Sequence, residues 1–239
     1  MITSTSNPKI KELCKLKQKK YRDLKRCYLV EGAHLVEEAH RAGVLVEVVT
    51  SQPQLYQYEN MIEVSDEVIA KLAFTNSPQP IIGICQMKIQ AFDFKKSRYV
   101  LLDDLQDPGN IGTIVRTALA FNYDGVILSE NSVDLYNDKF IRSTQGACFH
   151  IPCIKANLVE VIKQLHDEGV CVVGTSLHDA KEINTIQGLK KVAIVLGNEG
   201  NGVSAKVLEC CDQNVYIPIQ KAESLNVAIA GGICMFHFR

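Results

Sequence analysis

Three short polar segments in the second half of the chain carry the residue types that could do chemistry. They are 107–112 with Arg116, 196–202, and 217–219 with 224–227. Together they supply amide, carboxylate, hydroxyl and guanidinium groups beside several glycines, a set that can bind a polar ligand and stabilise developing negative charge. Each segment follows an apolar run and precedes a helical pattern, which is where ligands bind in α/β sheets.

The first segment has two interpretations. Pro108 and Gly109 suit a turn, and Asn110 would then be the N-cap of a helix over 111–121. Alternatively, Asn110 forms a site together with Arg116, because a guanidinium on an otherwise apolar helix is costly unless it is paired or exposed. The local pattern leaves both interpretations open.

The second segment has three glycines between 197 and 202, directly after the apolar run 192–196. Such a loop lets main-chain amides approach a ligand closely, although a plain turn would use the same residues. Its spacing matches neither a Walker A loop nor the GxGxxG fingerprint. Glu199 is then either a surface charge or a group that binds something positive.

In the third segment, Ser224 is expected to cap the last helix, over 225–238. Asn226 would then lie inside the first turn, where asparagine is a poor helix former. An unfavourable residue beside two other polar segments is a modest indication of a site. The six histidines are expected to be structural or exposed, since no Ser-His-Asp or Cys-His arrangement is readable.

Alternating strand and helix patterns must position these segments. Over 98–239 they predict a parallel sheet covered by helices on both faces. The expected strands there are 99–105, 125–128, 151–154, 170–175, 192–196 and 215–219, and the expected helices are 111–121, 136–144, 158–168, 205–211 and 225–238. Residues 90–98 are polar without strong periodicity and are interpreted as a linker.

Residues 1–90 are predicted to form a smaller α/β unit. Its expected helices are 8–20 capped by Asn7, 33–41, and 66–74 capped by Ser65, and its expected strands are 27–30, 44–50, 61–64 and 80–87. Residues 1–28 contain nine Lys or Arg and only two acidic residues, although the whole chain has a net charge of −1. This asymmetry suggests an arm that faces nucleic acid.

Composition excludes several classes of protein. With 46% apolar residues, the chain can bury a sizeable core. The nine cysteines are scattered, which indicates reduced thiols in a cytoplasmic protein. No zinc-type cluster of ligands, no signal peptide and no membrane span is expected, and neither a metal nor a membrane partner is predicted.

Taken jointly, the three segments resemble the motifs of the SpoU (TrmH-type) branch of the SPOUT RNA methyltransferases. Asn110, Gly112 and Arg116 resemble the first motif, 197–200 the second, and 217–218 through 224–227 the third. The N-terminal stretch, with 7–11 and 30–32, resembles an L30e-like substrate-binding domain. The likeness spans nearly the whole chain, and three motifs in order are far more specific than any one of them.

The resemblance implies the fold, the cofactor and the assembly. The expected fold is an α/β SPOUT domain with a parallel sheet and a trefoil knot over 98–239, preceded by the L30e-like domain over 1–90. The expected assembly is a homodimer. The expected cofactor is S-adenosylmethionine, bound mainly through main-chain groups at the following residues: Thr175, Leu196, Gly197, Gly200, Ile217 and Leu225.

The implied reaction is methyl transfer to a ribose 2′-hydroxyl. Arg116 is expected to stabilise the negative charge that develops on the attacking oxygen and to anchor a neighbouring phosphate. The residues expected to orient Arg116, the ribose and the cofactor are Asn110, Glu199, Ser224 and Asn226. The residues expected to bind structured RNA are Lys9, Lys11, Lys15, Lys19, Lys20 and Arg22.

Ribosomal RNA is the preferred substrate because a separate L30e-like domain is typical of the ribosomal branch of the family. Three alternatives stay open. One is a tRNA 2′-O-methyltransferase, and a second is a non-catalytic RNA-binding protein of the same fold. The third is a nucleotide-dependent α/β enzyme such as a reductase, although 105–112 lacks the glycine-rich fingerprint that such an enzyme needs.

Overall fold

The structure, a computed structural model, describes residues 1–88 and 91–239. Contacts between residues group them into two units. One joins the described residues before position 89 to Tyr136–Phe149, and the other contains those after position 90 up to Leu135 together with His150–Arg239. The sequence division differs in one segment, because it placed 136–149 with the second part of the chain.

The first unit is built on a mixed four-stranded sheet. Its strands are β1 (Cys27–Glu31), β2 (Leu45–Thr50), β3 (Met61–Glu63) and β4 (Ile81–Gln86), and its helices are α1 (Pro8–Lys15), α2 (Lys19–Lys25), α3 (Ala33–Arg41), α4 (Asp66–Leu72) and α6 (Asp138–Thr144). The strand order is β1-β4-β2-β3. β4 pairs antiparallel with both β1 and β2, whereas β2 and β3 are parallel.

The basic N-terminal segment forms two helices rather than the single predicted helix over 8–20. Asn7 caps α1 as predicted, its side chain accepting from the Lys9 amide at 2.9 Å. Leu16 is buried, and the extended backbone of Gln18 starts α2 in a new direction. Ser65 precedes α4, but its side chain makes no capping hydrogen bond there.

The second unit is built on a parallel seven-stranded sheet of order β7-β6-β5-β10-β8-β11-β9. Its strands are β5 (Arg98–Asp103), β6 (Gly125–Leu128), β7 (Cys153–Lys155), β8 (Cys171–Thr175), β9 (Lys181–Glu182), β10 (Val192–Gly197) and β11 (Gln213–Tyr216). Its helices are α5 (Pro108–Ala120), α7 (Leu158–Asp167), α8 (Ala205–Leu208) and α9 (Val227–His237). The predicted parallel sheet is confirmed, whereas β9 was not predicted.

Close packing of α9 against α5 and β10 fixes the site's framework. Gly231 lacks a side chain where a Cβ would lie 2.6 Å from Leu196 Cδ1, so α9 can approach the sheet closely. Near the C-terminal ends of α5 and α9, the Tyr123 hydroxyl donates to the Met235 carbonyl at 3.2 Å. α9 is therefore held by close packing at its middle and by a hydrogen bond near its C-terminal end.

The predicted linker is tied to the second unit along most of its length; position 90 lies outside the described residues. Phe92 and Phe94 pack on the core of that unit, with Phe92 stacking near Tyr99. The Ser97 and Arg98 amides both donate to Asp124 at 3.0 Å. Within the described chain, no helix is both long and apolar enough to span a membrane.

Candidate active site

The carboxyl ends of neighbouring parallel strands bring the three polar segments to one edge of the sheet. β10 lies between β5 and β8, and β8 pairs with β11. Gly197 is level with Asp103 of β5, and Thr175 is level with Val215 of β11. The residues that follow these strands therefore start from adjacent positions.

The first segment begins α5 earlier than predicted. Asp107, and not Asn110, is the N-cap, and its carboxylate accepts from the Asn110 amide at 3.0 Å. Pro108 occupies the first helical position, where its missing N–H costs nothing. The capping interpretation of Asn110 is thus wrong, and its side chain is released for other contacts.

The second segment folds into a tight hairpin. The Asn198 amide donates to the Gly202 carbonyl at 3.0 Å, and the Gly202 amide donates to the Asn198 carbonyl at 2.9 Å. A Cβ on Gly197 would lie 2.0 Å from main-chain atoms of Gly202 and Val203. The hairpin can close over the end of β10 only because residue 197 is glycine.

The third segment is capped differently from the prediction. Asn226, and not Ser224, is the N-cap of α9, and its side-chain oxygen accepts from the Ala228 and Ile229 amides at 2.9 and 3.3 Å. Capping therefore explains an asparagine that was expected inside the first turn. Ser224 is exposed two residues before the cap.

A hydrogen-bond chain of three side chains connects the three segments. The Asn226 amide group donates to Asn110 Oδ1 at 2.9 Å, and Asn110 Nδ2 donates to Glu199 Oε1 at 3.1 Å. Asn110 thus uses both ends of its amide. The predicted site residues Asn110, Glu199 and Asn226 are brought together at the surface, where they can orient a polar substrate.

Arg116 is exposed on α5 but is not part of this hydrogen-bond chain. Six residues separate it from Asn110, which in an α-helix is roughly 9 Å of rise and about a third of a turn out of line. Within residues 1–88 and 91–239, no hydrogen bond or ion pair engages its guanidinium. An exposed and unengaged guanidinium can meet an anion that arrives from outside the chain.

The residues expected to hold the cofactor lie along the same edge. Thr175 ends β8, with its hydroxyl donating to the Val195 carbonyl at 2.8 Å. Leu196 and Gly197 are buried, Gly200 is exposed at the hairpin, and Ile217 and Leu225 are half-buried. None of these six side chains is charged, so the donor set fits a ligand held by main-chain groups and apolar contact.

The basic residues of the first unit fall into two kinds. Most of those predicted to contact RNA are exposed, and several have an acidic neighbour: Lys9 with Glu47, Lys15 with Glu12, and Lys19 with Asp23. Lys11 and Lys20 are also exposed. They remain a proposed RNA-contacting surface.

Arg22 does not belong to that surface. It is buried, and its guanidinium donates to the main-chain carbonyls of Leu16 and Lys17 at 3.1 and 2.9 Å. These carbonyls follow α1, where the chain turns into α2. Arg22 is therefore a structural residue, and the count of basic residues did not distinguish it from its exposed neighbours.

Three residues that build the site were not predicted from the sequence. Asp103 is buried and accepts from the Ser204 amide at 2.8 Å, and Asn198 donates from Nδ2 to the Asp104 carbonyl at 2.9 Å. A charged residue at the end of an apolar strand was a usable signal for Asp103. Asn198 lies inside the second polar segment but was not among the predicted site residues, and nothing local pointed to Asp104.

The fold and site together define a methyltransferase of the SPOUT class. Residues 97–236 match the SpoU rRNA Methylase family, and residues 7–83 match the MRM3-like substrate binding domain. The first match covers more than half of the chain. The chain belongs to the SpoU rRNA methylase family, as its motifs suggested.

Individual relatives are similar over nearly their whole length. The chain is 38% identical over 245 residues to the 23S rRNA (guanosine(2553)-2′-O)-methyltransferase RlmP of Bacillus subtilis (strain 168), covering 100% of this chain and 98% of the relative. The crystal structure of an AdoMet-bound rRNA methyltransferase from Sinorhizobium meliloti superposes with a TM-score of 0.87 at 33% identity, covering 99% of this chain and 95% of that one. A structure described as an RNA 2′-O ribose methyltransferase gives 0.84 at 30% identity, with 99% and 96% coverage.

Proposed function

We propose that this protein transfers a methyl group from S-adenosylmethionine to a ribose 2′-hydroxyl of ribosomal RNA. The observation that carries the proposal is the hydrogen-bond chain Asn226–Asn110–Glu199, because it joins the three family motifs at the carboxyl edge of the sheet. The similarity to a 2′-O-methyltransferase over the whole chain supports the reaction type. The AdoMet-bound relative supports the cofactor.

The chain's own residues divide the work as follows. S-adenosylmethionine, when bound, supplies an electrophilic sulfonium methyl group. The residues that would hold it, at the strand ends and in the loops that follow them, are Thr175, 196–197, Gly200, Ile217 and Leu225. Because none of these side chains is charged, recognition falls to main-chain N–H and C=O groups and to apolar contact.

The acceptor side of the reaction needs a cation near the attacking oxygen. Arg116 provides it, since a guanidinium is protonated at any working pH and stabilises an oxyanion or a phosphate. We assign it charge stabilisation and phosphate anchoring, with the proton leaving to water or to that phosphate. Asn110, Glu199 and Asn226 orient the ribose through their amide and carboxylate groups, and exposed Ser224 completes that set.

A homodimer would complete the site. Along α9 the exposed fractions of Ile229, Ile233 and Phe236 are 55%, 38% and 53%, and Leu119 on the neighbouring α5 is 37% exposed. Ile229, Ile233 and Phe236 recur at i, i+4 and i+7, so they form one apolar stripe that a second copy can cover. We propose that Arg116 acts on the hydrogen-bond chain of that second copy, since its own chain leaves it unengaged.

The remaining parts of the proposal concern the substrate, the knot and the compartment. The match to a substrate-binding domain over 7–83, together with exposed lysines, supports RNA binding by the first unit. We propose a trefoil knot in the segment that carries α9, on the family's precedent. The nine free thiols support a cytoplasmic setting. Burial raises the pKa of the Cys234 thiol to about 12.

A cofactor panel followed by methyl transfer tests the function. S-adenosylmethionine should raise the melting temperature of the protein, whereas NAD and ATP should not, because only a ligand that binds the folded state stabilises it. Methyl-labelled cofactor should then label 23S rRNA from cells that lack this protein. The labelled position should correspond to guanosine 2553, the 23S rRNA nucleotide in the name of the relative. If S-adenosylmethionine binds but no methyl group reaches the RNA, the chain is instead a non-catalytic RNA-binding protein.

A further inference from the structure

Asp104 has an unusual backbone directly after β5. Its φ is 55°, in the left-handed region that few residues other than glycine, asparagine and aspartate adopt. Ser129 holds this conformation from both sides: the Asp104 amide donates to Ser129 Oγ at 2.9 Å, and Ser129 Oγ donates to Asp104 Oδ1 at 2.6 Å. The cost of such a conformation is sustained where the surrounding structure determines it.

The turn at Asp104 directs its carbonyl toward the second motif. That carbonyl accepts from Asn198 Nδ2 at 2.9 Å and from Gln106 Nε2 at 3.2 Å. Asn198 is therefore a cross-link between the loop after β5 and the loop after β10. A carbonyl in the ordinary extended backbone of a strand would lie in the sheet's own hydrogen-bond direction.

Asn198 also organises its own hairpin. Its Oδ1 accepts from the Gly200 and Asn201 amides at 2.9 and 3.2 Å, while its main chain pairs with Gly202. One side chain thus fixes the tip of the hairpin with its oxygen and ties the hairpin to Asp104 with its nitrogen. Glu199, the next residue, accepts from Asn110 across the same gap.

We propose that Asn198 and Asp104 are positioning residues that hold Glu199 within hydrogen-bonding distance of Asn110. The inference rests on the proposed function for its kinetic consequence. Two cross-links join the same two loops, Asn198 to the Asp104 carbonyl and Asn110 to Glu199. Loss of the cross-link from Asn198 to Asp104 would let Glu199 move relative to Asn110. A displacement of about 1 Å in a reacting group can lower a rate roughly 100-fold.

Replacing Asn198 by aspartate separates its two roles. Asn198→Asp keeps an oxygen for the Gly200 and Asn201 amides but loses the N–H that Asp104 accepts. We expect kcat for methyl transfer, expressed per bound cofactor, to fall roughly tenfold or more. The KM for S-adenosylmethionine should stay within about twofold, because the hairpin tip is preserved. Asn198→Ala should lower kcat and also raise this KM.

Asp104 offers a rescue test. Asp104→Asn tolerates the left-handed backbone and keeps an oxygen for Ser129, so its kcat should stay within about twofold of the wild type. Asp104→Val disfavours that backbone and should reproduce the kcat loss of Asn198→Asp. Asn201→Ala, in the same hairpin, is the matched control, since its side chain makes no hydrogen bond with the described residues.

Amide hydrogen exchange separates this inference from the proposed function. Asn198→Asp should raise exchange over 104–110 while leaving the Gly202 amide protected. If the wild type methylates RNA and Asn198→Asp matches its kcat, the positioning role is wrong and the function stands. If the wild type methylates no RNA, the function is wrong, and unchanged exchange over 104–110 in Asn198→Asp would overturn the positioning role as well.

Discussion

Substituting Gly197 by alanine places a methyl group inside the main chain of the hairpin. The added Cβ would lie 2.0 Å from the Gly202 carbonyl carbon and from the Val203 nitrogen. Ordinary contact begins at 3.4 Å, so the hairpin would have to move by about 1.4 Å. No rotamer change relieves this clash, because both atoms belong to the backbone.

The size of the effect follows from the contacts that such a movement breaks. Two main-chain hydrogen bonds between Asn198 and Gly202 would be lost, and each contributes about 1 kcal/mol. Displacing the Ser204 amide would also leave the buried Asp103 carboxylate short of a donor, at about 1–3 kcal/mol. We expect Gly197→Ala to lower the free energy of unfolding by about 3–5 kcal/mol. Methyl transfer should fall roughly 100-fold or more, since Glu199 moves with the hairpin.

Thermal unfolding with a matched glycine variant measures this. In a chain of this size, each kcal/mol corresponds to a shift of about 2–4 °C, so the melting temperature should fall by at least about 6 °C. Gly200→Ala is the stability control, because its Cβ would meet only Asn198 Oδ1 at 3.6 Å and its φ is not positive. If both variants melt within about 2 °C of the wild type, the hairpin does not depend on close approach at Gly197.

Three further outcomes are expected. Arg116→Ala should lower kcat roughly 100-fold or more while leaving the Kd for S-adenosylmethionine nearly unchanged. If each site combines Arg116 of one copy with Asn110 of the other, a co-purified heterodimer of Arg116→Ala with Asn110→Ala should recover about half of wild-type activity. If both residues act within one copy, that heterodimer should have no activity. Arg22→Ala should lower the free energy of unfolding, measured with denaturant, by about 1–3 kcal/mol because two buried carbonyls lose their donor. Lys20→Ala should leave stability unchanged and flatten the salt dependence of RNA binding. The reverse result would make Arg22 the RNA-contacting residue and Lys20 the structural one. Ile233→Glu should shift the mass measured by light scattering to that of one chain, because a charge enters the apolar stripe of α9; a persistent dimer would place the interface elsewhere.

Long apolar runs made the framework of the second unit predictable. In that unit β6 has the predicted bounds, and the parallel sheet follows from the alternation of strands and helices; α3 of the first unit also has the predicted bounds. β9 was missed because Lys181–Glu182 is too short to show any periodicity. The helix break after Lys15 was missed because the basic residues continue unchanged through it.

The site was predictable in its residues but not in its connections. The family motifs picked out Asn110, Glu199 and Asn226, yet the partners are 89 and 116 positions apart, a separation that no local pattern reports. The caps of α5 and α9 were misplaced because several neighbouring polar side chains can cap equally well. Only main-chain geometry decided in favour of Asp107 and Asn226.

Mass spectrometry of nucleosides tests the central claim most directly. After reaction of wild-type protein with trideuteromethyl S-adenosylmethionine and 23S rRNA, complete digestion should release a nucleoside that carries the heavy methyl group on its ribose. Glu199→Ala should abolish that product while S-adenosylmethionine still raises the melting temperature. A heavy methyl group on the base, or no labelled nucleoside from RNA that lacks the modification, would contradict the account.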